Sequence, residues 1–78
     1  MKELVELIAK SLVDNPDKVQ VSQLDGEQSS IIELKVAPED VGKIIGKQGS
    51  HAQAIRVILG AAGMTLKKRF TLELIEKK

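Results

Sequence analysis

Val41-Gly42-Lys43-Ile44-Ile45-Gly46-Lys47-Gln48-Gly49 places an apolar pair directly before two glycines that flank two polar residues. Helical spacing runs into this segment from both sides. Glycine tolerates left-handed or strained backbone and lets another backbone come close. The segment therefore reads as a tight turn between two helices, with bare backbone and one lysine at its tip. A phosphate chain suits such a tip, because the start of the following helix adds partial positive charge.

Outward from this turn, the chain divides into short elements. Leu4, Val5, Ile8 and Leu12 recur at helical spacing and predict a helix over 2–13, ended by Asn15-Pro16-Asp17. Val19 and Val21 alternate with polar residues and predict a strand over 18–24. Asp25-Gly26 opens a polar turn, and Ile32, Leu34 and Val36 predict a second strand over 31–37, paired with the first as an antiparallel hairpin. Pro38 starts a short helix with Glu39 and Asp40 in its first turn and Val41, Ile44 and Ile45 on its buried side. Ser50 is positioned to cap the next helix, which should end at Gly63 and bury Ala52, Ile55, Ile58, Leu59 and Ala62. A second strip, Ala54, Val57 and Ala61, reads as core or as an interface. Phe70, Leu72 and Leu74 predict a last strand over 66–76. The expected fold is α+β, with a three-stranded mixed sheet under three helices in a single domain over 1–78. The third strand, reached through a two-helix crossover, is expected to run parallel to its neighbour.

Charge is segregated. Residues 1–40 carry four lysines and nine acids, a net of −5, whereas residues 41–72 carry Lys43, Lys47, Arg56, Lys67, Lys68 and Arg69 and no acid, a net of +6. The glycine turn lies inside the acid-free part, which favours an anionic partner on that face. Catalysis finds little support. A phosphate-binding P-loop needs one more residue between Gly42 and Gly46, and Ser or Thr after Lys47 where Gln48 stands. A dinucleotide fingerprint fails at Ile44. With no cysteine, one histidine and no acid between Asp40 and Glu73, neither a nucleophile set nor a metal site is expected, and no cofactor is implied. No run is long and apolar enough for a membrane span, and nothing reads as a signal peptide, so a cytoplasmic location is expected.

The run from Val41 to Gly49, followed by Ala52, Ile55 and Arg56, resembles the GXXG segment of type II KH domains. The length and element order resemble the small stand-alone bacterial KH proteins of the KhpA family over essentially the whole chain. The resemblance implies binding of single-stranded RNA in post-transcriptional regulation. It also implies a capacity to pair, either as a homodimer or with a larger Jag-type KH protein. On this reading Gly46 and Gly49 permit close approach of phosphates, Lys47 supplies charge and Gln48 donates hydrogen bonds. The backbone N–H groups of Ser50 and His51 open the helix toward the anion. Lys43 and Arg56 are flanking cations or plain surface charges. Ile44 and Ile45 divide between the core and an apolar floor under the bases. The His51 side chain reads as a surface group. Members of the family commonly carry a basic residue where this chain has Ser50. With Phe70 the sole aromatic, stacking platforms are nearly absent, so modest, salt-sensitive affinity with limited base selectivity is expected. The competing expectation is a dimerisation module with weak or partner-dependent binding of RNA or single-stranded DNA.

Overall fold

The computed structural model describes residues 1–75. Six elements follow in the order α1 (Lys2–Leu12), β1 (Gln20–Asp25), β2 (Ser29–Lys35), α2 (Val41–Ile45), α3 (Ser50–Leu66) and β3 (Arg69–Ile75). The sheet order is β1-β2-β3, with β1 and β2 antiparallel and β2 and β3 parallel. The expected α+β architecture and mixed sheet are thus present, and the third strand takes the parallel position.

Register explains the core. Ile32 lies opposite Gln23 and Leu72, and Leu34 lies opposite Val21 and Leu74. Side chains two apart on a strand share a face, so Ile32, Leu34 and Leu72 form one apolar surface. Val5 and Ala9 of α1, Ile44 of α2, and Ile55 and Leu59 of α3 pack on it. Val5, Ala9, Ile32, Leu34 and Ile44 are fully buried. Burying a valine, leucine or isoleucine side chain supplies about 1.5–3 kcal/mol, the main favourable contribution in so small a core.

Several boundaries differ from expectation. Pro16–Lys18 forms a 3-10 turn, so β1 starts at Gln20. The hairpin closes earlier, because Gly26 N–H donates to the Ser29 carbonyl at 2.6 Å and Ser30 donates to Asp25 at 2.5 Å, which brings Ser29 and Ser30 into β2. Pro38–Asp40 is another 3-10 turn, leaving α2 only five residues. Ser50 does not cap α3. It is the first helical residue, Gly49 holds the cap position, and there is no side-chain cap bond. At the other end α3 runs past Gly63 to Leu66 and ends at Lys67 in the left-handed region, φ +56°. Gly63 serves packing there: a Cβ at this position would lie 2.3 Å from the Lys68 carbonyl oxygen. Ile58 is 42 % exposed rather than buried. Ala54, Val57 and Ala61 all face solvent within the chain, so the core option for this strip is overturned. The last strand begins at Arg69 rather than 66, since Lys67 and Lys68 form the turn. The expected final residue, 76, lies outside the described residues.

Candidate nucleic-acid interface

Between α2 and α3 the chain makes a left-handed step that only certain residues accommodate. Gly46 has φ +76°, Gln48 φ +58° and Gly49 φ +79°. Positive φ is open to glycine at little cost and strains most other residues. Gly46 is further constrained, because a Cβ there would come within 2.8 Å of the His51 backbone nitrogen. Gly49 has nothing within 4 Å of its missing Cβ, so its backbone is open to an approaching group. The Gly49 N–H donates back to the Gly46 carbonyl at 3.2 Å and closes the turn. Directly after it α3 begins. Contrary to expectation, the Ser50 N–H is turned inward onto the Lys47 carbonyl, and the N–H groups that follow it in the first turn lie beside the loop with the positive end of the helix dipole. Lys47 and Gln48 are exposed at the tip.

Beside this loop lies a cleft of about 550 Å³ lined by Ile44, Ile45, Gln48, Gly49, Ser50, Ala52, Gln53, Arg56, Leu72 and Leu74. One wall is α3, the other the edge strand β3, with α2 and the loop closing one end. Its interior is apolar and its rim polar. Ile44 is fully buried, whereas Ile45 is 37 % exposed, so the two side chains divide between core and cleft surface. A binding site with an apolar floor and a few placed polar groups fits a flat, weakly polar moiety such as a base.

The ten residues singled out by the sequence therefore separate. Ile44, Ile45, Gln48, Gly49, Ser50 and Arg56 line the cleft. Gly46, Lys47 and His51 belong to the loop and the first turn of α3 without lining it. Lys43 is engaged elsewhere. Its ammonium bonds the Asp14 carboxylate and lies 4.0 Å from Asp40, and the Asp14 hydrogen bond is the main reason its pKa is raised above the ordinary lysine value. Lys68 likewise pairs with Asp25 at 3.3 Å. Lys47 and Arg56 have no ion pair among the described residues. The acid-free run of sequence thus overstates the available charge, since folding returns acids from residues 14, 25 and 40 to two of its six cations. Lys67 to Arg69 sit at the far end of α3, a helix of 17 residues; at about 1.5 Å per residue that is roughly 25 Å from the glycine loop.

Sequence reasoning missed Ala52, Gln53, Leu72 and Leu74 as cleft residues, having placed Ala52 on the buried face of α3. Gln53 carried a usable signal, being one helical turn beyond Gly49. The two leucines did not, because strand alternation marks a buried face without distinguishing core from cleft.

The sequence matches the family model described as KhpA/KhpB, KH domain, over residues 2–74. It is similar to the RNA-binding protein KhpA of Clostridium acetobutylicum, 63% identical over 75 residues, covering 96% of this chain and 100% of that protein. It is also similar to the proteins of that name from Aquifex aeolicus, 53% identical over 76 residues (97% and 96% covered), and Treponema pallidum, 45% identical over 75 residues (96% and 94% covered). No solved structure matches the chain. With a GXXG turn between α2 and α3, a cleft between α3 and the edge strand, and these relatives over nearly its full length, the chain belongs to the KhpA/KhpB family of KH domains.

Proposed function

We propose that this chain binds single-stranded RNA, gripping the backbone at Gly46–Gly49 and laying bases along the cleft between α3 and β3. The observation that carries the reading is the juxtaposition of an open left-handed Gln48-Gly49 turn, the start of a long helix and an apolar cleft with Arg56 on its rim. The backbone amides and Lys47 suit phosphates, which position a strand, and the cleft suits the bases. RNA rather than DNA is favoured because the relatives are RNA-binding proteins by name. Few cations and no aromatic in the cleft make the affinity modest and the base preference weak. The domain acts by binding, without catalysis.

The test is a fluorescence titration of a mixed-sequence single-stranded RNA against the wild type and a Lys47→Asp, Gln48→Asp double variant at two salt concentrations. The expected result is at least about tenfold weaker binding by the variant, with a shallower salt dependence, since the number of phosphates neutralised falls. An unchanged circular dichroism melt would show that the fold is intact. Equal binding by both proteins would place the RNA elsewhere.

A second property rests on a separate observation. The outward face of α3 presents Ala54, Val57, Ile58, Ala61 and Met64 with no charged side chain among them, and Val57 and Met64 are 62 % and 84 % exposed. Val57 and Ile58 sit at the middle of α3. A second copy related by a twofold axis would therefore lay the same residues against themselves in antiparallel fashion, as a self-complementary interface requires. Sedimentation velocity should show a two-chain species for the wild type and a single chain for Val57→Glu, with the RNA affinity per domain retained. A larger KH protein as the true partner would show as a monomeric wild type.

A further inference from the structure

Gly46 takes the chain out of α2. Its own N–H still donates to the Gly42 carbonyl at 2.9 Å. Beyond it the backbone leaves the helical path, and among the described residues no main-chain donor from the loop reaches the Lys43 carbonyl. The last carbonyls of a helix need partners from outside the helix. Here the partner is a side chain: His51 Nδ1 lies 2.7 Å from the Lys43 oxygen. A carbonyl oxygen only accepts, so Nδ1 carries the proton. The same residue crowds Gly46, with the ring Cγ 2.6 Å from where a Cβ would stand. The imidazole thus spans from the first turn of α3 to the last turn of α2, across the base of the glycine loop.

We propose that His51 is a positioning residue of the phosphate clamp, its Nδ1–H capping α2 through the Lys43 carbonyl and so holding Gly46–Gly49 in the turn that carries Lys47 and Gln48 at its exposed tip. This rests on the RNA reading above and extends it to a side chain that the sequence marks only as a surface group. A loop with three left-handed residues has many competing shapes, and fixing one beforehand removes an ordering cost from binding. The role is specific to a donor at this position on the ring, so it separates His51 from a residue that merely fills space.

Two measurements test it. In the free protein, nitrogen NMR of the neutral imidazole should show the proton on Nδ1, the tautomer less favoured by a histidine in water; a proton on Nε2 would overturn the proposal. In the RNA titration, His51→Phe keeps a ring and loses the donor, and should bind roughly fivefold more weakly, the worth of about one hydrogen bond. His51→Asn places an amide N–H near the position of Nδ1 and should bind within about twofold of wild type. Unchanged binding by the Phe variant, or equal losses in both, would overturn the proposal. If His51→Phe does not fold, the tautomer and the Asn variant decide. If the Lys47→Asp, Gln48→Asp protein binds RNA as the wild type does, the clamp itself has failed. Amide exchange at Gly49, faster in His51→Phe than in wild type, then reports on the brace alone.

Discussion

Gly63→Ala is expected to destabilise the protein by about 2 kcal/mol, whereas Gly60→Ala, one turn earlier on the same helix, should stabilise it by about 0.5–1 kcal/mol. Both glycines lie inside α3, where alanine is the better helix former, so propensity alone predicts the same sign for both. Surroundings reverse it at one of them. Gly60 is exposed and has nothing within 4 Å of a built Cβ. Gly63 is buried, and its Cβ would meet the Lys68 carbonyl oxygen at 2.3 Å. That oxygen cannot swing aside cheaply. The Lys68 N–H donates to the Gly63 carbonyl at 2.9 Å, the preceding Lys67 already has φ +56°, and Arg69 N–H is committed to the Gln28 carbonyl at 3.0 Å. The turn from α3 into β3 is held from both sides, so the methyl group must displace the helix or the strand. In a domain of this size about 2 kcal/mol corresponds to a fall in melting temperature of roughly 10 °C. Thermal melts of the two variants decide the matter: a Gly63→Ala protein as stable as wild type would mean that the turn relaxes freely.

The same residue shows what was legible in the sequence. Gly63 reads as a helix stop because glycine after an apolar periodic run usually ends a helix. The signal for a buried backbone crossing is identical, and only tertiary structure separates the two. By contrast, all six elements were legible, because each carries its own period and the hairpin and crossover leave little choice of topology. Boundaries shifted where local side-chain bonds intervened, as with Ser30 and Asp25 at the hairpin. In the site, the glycine turn was legible from Gly46 and Gly49 because their backbone demands are local. The engagement of Lys43 was not, since its partner Asp14 is 29 positions away in sequence. The brace from His51 to the Lys43 carbonyl was hidden for a related reason: a lone histidine in a first helical turn has no pattern, and its meaning depends on a carbonyl freed by the turn before it.

Asp40→Ala should lower the melting temperature by roughly 10 °C, comparable to the Gly63 change though it creates no clash. Asp40 reads from sequence as an acid that favours a helix start. In the fold it is fully buried. Its carboxylate accepts hydrogen bonds from the backbone N–H of Asp14 at 3.3 Å, and from the backbone N–H and side-chain amide of Asn15 at 3.0 Å each. It thereby fastens the end of α1 to the start of α2, the helix that carries Ile44 into the core and Ile45 to the cleft surface. Alanine would leave these donors unpaired in a part-buried site, which costs more than the bonds themselves contribute. Burial works to raise the Asp40 pKa, but the bonds from Asn15 and Asp14 and the nearby Lys43 outweigh it and hold the group below its ordinary 3.8. Asp25 is lowered to about 2, chiefly by the Ser30 hydroxyl and then by Gln23 and Lys68. Both folded values lie below the unfolded ones, so the stabilisation is complete above about pH 4 and is lost as pH falls through the folded values. Wild-type melting temperature should therefore hold from neutral pH to about pH 4 and drop between about pH 4 and pH 2. Asp40→Asn, with one acceptor kept and no titration, should start lower and fall less steeply over that range. A wild type whose stability is flat to pH 2, or a variant with the wild-type slope, would show that the Asp40 network does not fasten α2.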